Sequence, residues 1–369
     1  MKKDTILFDL LQRLIPEEEV KTIVENHGYR DTARKFSVAS LLRFWMASAL
    51  GQWKSFRESE EQLKRCPGLV AVDHSTLSKK ATNVPFEAFR DLFHRLVQRC
   101  PRRIRRMLSL SFGVFAVDST IITVGKNRLP WARFHGERSG VKLHVRLDVM
   151  THALTQAETS LARSHDLTTV SRLESMPQIV SVEDRAYADT RRMDVLHETG
   201  RYFAIRLRNN MEMWNWKSLR RLPSIDSPVL EDGTCFMGKA KNRFRVVVFR
   251  DPKGRWIRVA TNLMNVSAEV IAALYKARWQ VKLFFRWIKQ HLNVKNLFGT
   301  TPNAVYGQLF GACMAYVLLH WLHTQEKPDR FQHVSLLLFA RQLWLSQLPS
   351  EWTLCLFDYV RRLPARYLC

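Results

Sequence analysis

The chain has 369 residues, enough for two or three domains that each bury a core. Hydrophobic residues make up 46% of it and eleven are tryptophan, which excludes an intrinsically disordered chain. Lys and Arg number 58 against 34 Asp and Glu, a formal charge of +24 that favours nucleic acid as partner, with a basic soluble enzyme or a ribosome-associated protein as the alternatives.

No stretch approaches ~18 apolar residues in a row, so no transmembrane helix is expected. Asp4 and Asp9 interrupt the stretch after the two N-terminal lysines, which argues against a secretory signal. Cys66, Cys100, Cys235, Cys313, Cys355 and Cys369 are scattered without zinc-ligand spacing and read as reduced thiols of a cytosolic protein.

Residues 1–106 read as helical throughout. Apolar residues recur at helical spacing in Ile6–Leu14, Leu41–Leu50 and Phe86–Leu96. Ser37 is placed to cap the second run. Between the second and third runs, Ser75 is placed to cap a short helix carrying Lys79 and Lys80, and Pro85 to start the next. A short basic helix between two turns is either the recognition element of a helix-turn-helix or an ordinary surface helix. Arg95, Arg99, Arg102, Arg103, Arg105 and Arg106 then crowd around Pro101, a domain boundary with a phosphate-facing surface.

From about residue 110 the texture becomes β-rich. GVFAVDSTIITV carries Asp118 in apolar company. VKLHVRLDV alternates strictly, with Val141, Leu143, Val145, Leu147 and Val149 on one face and Lys142, His144, Arg146 and Asp148 on the other, a half-buried strand. ALTQAETSLA is a third strand, with a helix after His165-Asp166, whose loop-and-cap reading is preferred to a metal pair. IVSVEDRAY is a fourth strand ending at Asp184. Next come a helix closed by Gly200 and a fifth strand, YFAIRLR. Residues 209–262 add further strands, with turns expected at Asp232-Gly233 and Lys253-Gly254.

The most informative segment is Tyr275–Leu292, YKARWQVKLFFRWIKQHL. Tyr275, Arg278, Lys282 and Lys289 stand at offsets 0, 3, 7 and 14. At about 100° per residue these fall within roughly 60° of each other on one helix face. Leu274, Ala277, Val281, Phe284, Phe285 and Ile288 form the opposite, apolar face.

This spacing closely resembles the Tyr–Arg–Glu–Lys signature of DDE transposases of bacterial insertion sequences, in the group with a β-strand insertion. The resemblance spans roughly residues 110–315. It implies an α/β (α+β) fold: an RNase H-like catalytic core at 107–325 with a β-rich insertion at 209–262, preceded by an all-helical DNA-binding domain at 1–106 and followed by a C-terminal helical segment at 326–369. It also implies metal-dependent cleavage and transfer of DNA strands after binding the terminal inverted repeats. Asp118 and Asp184 would be catalytic and would hold two Mg²⁺ (or Mn²⁺) ions, hard cations that take oxygen ligands. Tyr275, Arg278, Lys289 and the arginines 102, 103, 105 and 106 would contact double-stranded DNA, at transposon ends and target. A homodimer in the DNA complex, a bacterial cytoplasmic location and association with the nucleoid when bound are implied as well. Trp279 and Trp287 flank the stripe and either stack on flipped bases or, as preferred, pack against the insertion. Lys142 and His144 either approach DNA or, for His144, form a buried hydrogen-bonded histidine.

Position 282 departs from the signature. The family has its third catalytic carboxylate there, and this chain has Lys282. An ammonium cannot coordinate Mg²⁺ and would pair with Asp118 or Asp184. Glu269 lies about 20 Å back along the helix axis, and Glu183 points away from Asp184 as its neighbour on a strand. Three explanations of Lys282 remain open: a substitution that abolishes catalysis, a decayed element copy, or rescue by a group elsewhere in the chain. The leading reading is a DDE transposase. The alternatives are a catalytically silent relative that occupies the ends as a repressor or competitor, and an RNase H-like nuclease that cuts without joining, which gives no reason for the Tyr275/Arg278/Lys289 stripe.

Overall fold

Apolar stripes at helical spacing fold the first hundred residues into six helices: α1 (Ile6–Leu14), α2 (Glu17–Asn26), α3 (Val38–Leu50), α4 (Phe56–Arg65), α5 (His74–Asn83) and α6 (Phe86–Arg99). The computed structural model describes residues 6–100, 113–173, 179–219, 227–325 and 327–363. The Ser37 side chain caps α3 by accepting from Ser40 N–H, as expected. Asp73, not Ser75, caps α5, because its carboxylate reaches the N–H groups of both Ser75 and Thr76.

Ten strands form one sheet among the described residues. They are β1 (Gly113–Gly125), β2 (Arg133–His135), β3 (Arg138–Asp148), β4 (Leu154–Leu161), then α7 (Asp166–Leu173), β5 (Ile179–Glu183), α8 (Thr190–Glu198) and β6 (Tyr202–Arg206). After β6 come β7 (Met213–Ser218), β8 (Val229–Met237), β9 (Phe244–Arg250) and β10 (Trp256–Thr261). The order runs β2-β3-β1-β5-β6-β10-β9-β8-β7, with β4 pairing β3. β3 is antiparallel to β1, whereas β5 runs parallel to β1 and β6 parallel to β5. This is the mixed sheet of an RNase H-like core. Strands β7–β10 extend the same sheet through the antiparallel β10–β6 pair.

Two expectations are corrected here. Gly233 lies inside β8, not in a turn, and the Trp216 ring occupies the space a Cβ would fill. The turn between β8 and β9 uses Gly238 at φ 46°, while Gly254 at φ 75° serves the turn expected of it. The polar face of β3 is not solvated either: Lys142 is 6% exposed and His144 fully buried. α7 covers that face, and Asp166 at its start takes Lys142 Nζ at 3.1 Å and Ser119 Oγ at 2.8 Å. His144 Nε2 bonds Ser160 Oγ at 2.8 Å, the buried alternative for that residue.

After the sheet come α9 (Ala268–Ala277), α10 (Trp279–His291), α11 (Pro302–Thr324), α12 (Leu336–Trp344) and α13 (Ser350–Arg362). α11 is long and apolar enough to cross a membrane by length and composition alone, although Gln308 and His320 interrupt its apolar run. Its apolar stretch is wholly buried inside the protein, against α3, α5, α6 and β4. One continuous apolar core therefore runs from α1 to α6 through α11 to β1, β3 and β4.

Candidate active site

β1 and β5 lie side by side and parallel, with Val117 opposite Glu183. The next residue on each is an aspartate, so Asp118 and Asp184 emerge together although far apart in the chain. β5 ends there because Asp184 turns to accept from Arg185 N–H at 2.8 Å and starts a short 3-10 turn.

The motif helix meets them in a way its periodicity did not show. It breaks at Arg278 into α9 and α10, with no Pro or Gly at the junction. The break delivers the Arg278 guanidinium to both carboxylates: Nη1 lies 2.9 Å from Asp118 Oδ2 and Nη2 3.5 Å from Asp184 Oδ2. Tyr275 donates to Asp184 Oδ1 over a long 3.4 Å, and its ring lies 5.3 Å from the guanidinium carbon. Arg278 is 5% exposed, and its Nε has no hydrogen-bond partner among the described residues.

Burial pushes the Asp118 carboxyl above the usual carboxylate range, against the pull of Arg278, and the nearby Asp184 charge adds to the rise. For Asp184 burial acts in the same direction, but Arg278, the Arg185 N–H and Lys282 outweigh it and hold its pKa below the usual value. Lys282, half-buried one turn beyond Arg278, is among the cations lowering both, and its Nζ lies 5.7 Å from the Trp279 ring centroid.

Two further acids, Glu183 and Glu269, are committed elsewhere. Glu183 is fully buried and paired with Arg192 at 2.6 and 2.7 Å, and Glu269 accepts from Ser227 at 2.8 Å. No group of three or more His, Cys, Asp or Glu suited to a metal occurs among the described residues. Asp118 and Asp184, two hard-oxygen donors converging on one cation, suit a divalent ion that keeps several waters. Lys282 places an ammonium near both carboxylates.

Residues 110–318 match the family described as "Transposase DDE domain". The chain is also 44% identical to the "Probable transposase for insertion sequence element IS5377" of Geobacillus stearothermophilus, over 98% of this chain and 97% of that one. This chain belongs to the DDE transposases. A Sinorhizobium fredii transposase relative is 30% identical over 69% of this chain and 72% of its own, and a Synechocystis relative named for element IS4SA is 27% identical over 82% and 87%. Residues 3–69 match a domain of unknown function, DUF4372. A piggyBac transposase synaptic complex with hairpin DNA aligns over 96% of this chain and 84% of that one, at 14% identity and a TM-score of 0.47, too distant to add to the family relationship.

A DDE transposase is an enzyme acting on DNA, of a family that depends on divalent metal. Of the residues singled out in the sequence, Asp118, Asp184, Tyr275, Arg278 and Lys282 are gathered at one place in this transposase. Lys289 is not part of that cluster: half-buried, it donates to the Ile121 carbonyl at 3.1 Å and ties α10 to β1. Trp287 packs on Tyr316 of α11 at 5.3 Å, not on the insertion, and Trp279 is 52% exposed. Arg95 and Arg99 both pair with Glu19 and bolt α6 to α2, so they do not face phosphate freely. Arg102, Arg103, Arg105, Arg106 and the boundary at 106/107 lie outside the described residues. The sequence reading missed the Ser119–Asp166–Lys142 cluster that braces β1 immediately beside Asp118. The signal for it was two basic residues alternating on a strand followed by an Asp at a helix start.

Proposed function

We propose that this transposase binds the terminal inverted repeats of its insertion sequence through the helices of residues 1–106 and carries its catalytic centre at Asp118, Asp184 and position 282, within a core spanning 107–325. Residues 209–262 are the insertion in that core, and 326–369 a helical extension. The convergence of Asp118 and Asp184 on the motif arginine carries this reading, because a structural role for either aspartate alone gives no reason for the other to share its cation.

Asp118 and Asp184 are the residues that would hold Mg²⁺ or Mn²⁺. When bound, such ions activate the attacking oxygen and stabilise the leaving oxygen of a phosphodiester. Arg278 keeps the two carboxylates from repelling each other, and Tyr275 steadies Asp184. With DNA present, the polar groups of this stripe are suited to phosphate oxygens, which orient the strand for cleavage at the element end and for the later attack by the freed 3′ hydroxyl. A homodimer that pairs two ends, acting in the cytoplasm on chromosomal DNA, belongs to the same reading.

Lys282 bears on the rate. It adds positive charge where a carboxylate is required and competes with a metal for both aspartates. Loss of a preorganised electrostatic group at a reacting centre costs about 10²–10³ in rate. End cleavage on a supercoiled donor should therefore be at least about 100-fold faster for Lys282→Glu than for the unmodified chain, and absent in Lys282→Glu/Asp118→Asn. Equal cleavage by the unmodified chain and Lys282→Glu would show that position 282 does not supply the third ligand.

A further inference from the structure

The N-terminal helices enclose an open groove of about 660 Å³ to which the family relationship gives no role. Its walls are the loop between α2 and α3, the end of α4 and one face of α5. Lys35, Lys64 and Lys79 line it together with Thr32, Thr76 and Asn83.

A buried device sets the position of that loop. Asp31 accepts from Val38 N–H at 2.6 Å and forms an ion pair with Lys80, and both side chains are about nine-tenths buried. The Lys80 ammonium also lies 5.5 Å from the Tyr29 ring. This corrects the reading of Lys80 as part of a basic surface: it is an anchor. Breaking such a pair would leave a buried charge uncompensated, so the loop is held against α5 in one register. It presents Arg30, Arg34 and Lys35, all exposed, beside Lys79 on α5 and Lys64 on α4.

The acids at the groove are already engaged. Glu60 accepts from the backbone N–H and ring of His74, and Asp73 caps α5. Lys64 keeps a 3.8 Å contact with Glu60, but its side chain is 63% exposed. Among the described residues Arg30, Arg34, Lys35 and Lys79 have no carboxylate at ion-pair distance. On α5, Ser75, Lys79 and Asn83 stand four residues apart and exposed, while Leu77 and Ala81 turn into the core. The helix is about 15 Å long and of a width that the major groove, about 12 Å across, admits.

We propose that this groove seats the backbone of duplex DNA, with Lys35, Lys64 and Lys79 neutralising phosphates and Ser75 and Asn83, on either side of Lys79 along α5, turned to the bases. The proposal rests on the reading that the N-terminal helices bind the element ends, and it names the surface that does so. An open channel with exposed cations on its walls, of which Lys35 and Lys79 have no carboxylate at ion-pair distance among the described residues, suits a continuous polyanion better than a small enclosed anion.

The test is binding of the full chain to a labelled duplex carrying the inverted repeat that flanks its gene, and to a scrambled duplex, over a range of salt concentrations. Each phosphate contact contributes about 0.9 to the slope of log K against log salt. The variant Lys35→Ala/Lys64→Ala/Lys79→Ala should lose roughly 2–3 from that slope on both duplexes, at an unchanged melting temperature since all three side chains are exposed. Asn83→Ala should weaken binding to the repeat by about tenfold and leave the scrambled duplex unaffected. If the triple variant keeps the full slope while the unmodified chain prefers the repeat, the groove is wrong and end binding stands. If the unmodified chain shows no preference for the repeat, the underlying reading falls and the groove assignment with it.

Discussion

At position 282 the sign of one charge decides what the site can do. In the metal-free chain Arg278 and Lys282 both relieve the repulsion between Asp118 and Asp184, so the ammonium favours the empty site. Lys282→Glu reverses that: three carboxylates crowd one pocket, the metal-free protein loses stability, and a divalent ion regains it by mass action. At a hundred times its dissociation constant an ion adds about 2.7 kcal/mol, or roughly 3 °C of melting temperature for a chain of this size. Lys282→Glu should show that rise with Mg²⁺ or Mn²⁺, and the unmodified chain little of it. Identical shifts for both would place the metal site away from position 282. The charge substitution itself was plain in the sequence. The Arg278 bridge was not, because a spacing pattern says which residues share a face and nothing about which one reaches across to the sheet.

At the scale of elements, legibility tracked hydrogen-bond regularity. β3 was read correctly because its strict alternation leaves few alternatives, and β1 because β-branched residues dominate it. The inner surroundings of Lys142 were misread, and His144 was left between two readings, because the helix that covers them arrives from elsewhere in the chain, and alternation cannot tell a covered polar face from a wet one. The break at Arg278 was invisible because neither Pro nor Gly marks it. Helix α11 escaped for the opposite reason: it is apolar all round and so has no stripe to detect. Its packing yields a test. A Cβ added at Gly311 would fall inside contact distance of Trp45 Cβ on α3, and Trp45 is fully buried. Gly311→Ala gains a little helix propensity but forces two core helices apart, an overpacking cost of about 1–3 kcal/mol. Denaturant unfolding should show a lower midpoint with an unchanged slope. A stabilised variant would mean that α3 and α11 shift apart freely.

Across the whole molecule, the helices of the first hundred residues and the sheet share one core because α11 lies between them. That continuity has a pH signature. His320 on α11 sits against His152 of the β3–β4 turn and His323, and burial first, then those two rings, push its pKa down to about 4. His144 on β3 is likewise held to about 4 by burial, with Asp166 pulling the other way and Lys142 adding to the drop. In the unfolded chain both titrate near 6.5. A histidine depressed in this way stays neutral in the fold while the unfolded chain takes up the proton. The stability it leaves intact above pH 6.5 is therefore lost as pH falls towards 4, and no further below that. At 1.36 kcal/mol per unit, and allowing for partial solvent access, each histidine should contribute a loss of about 1–2 kcal/mol by pH 5. Asp118, whose carboxyl is raised, acts with the opposite sign but only nearer the carboxylate range. The melting temperature should thus fall steadily between pH 7 and pH 5, by roughly 3–5 °C for the two together. His320→Gln, which keeps a polar side chain that cannot ionise, should remove its share of that slope, to which His94, His152, His291 and His323, also lowered by burial, add. A slope unchanged by His320→Gln would mean that the joint between α11 and the β3–β4 turn opens to water before it is protonated, and that the shared core is looser there than its burial indicates.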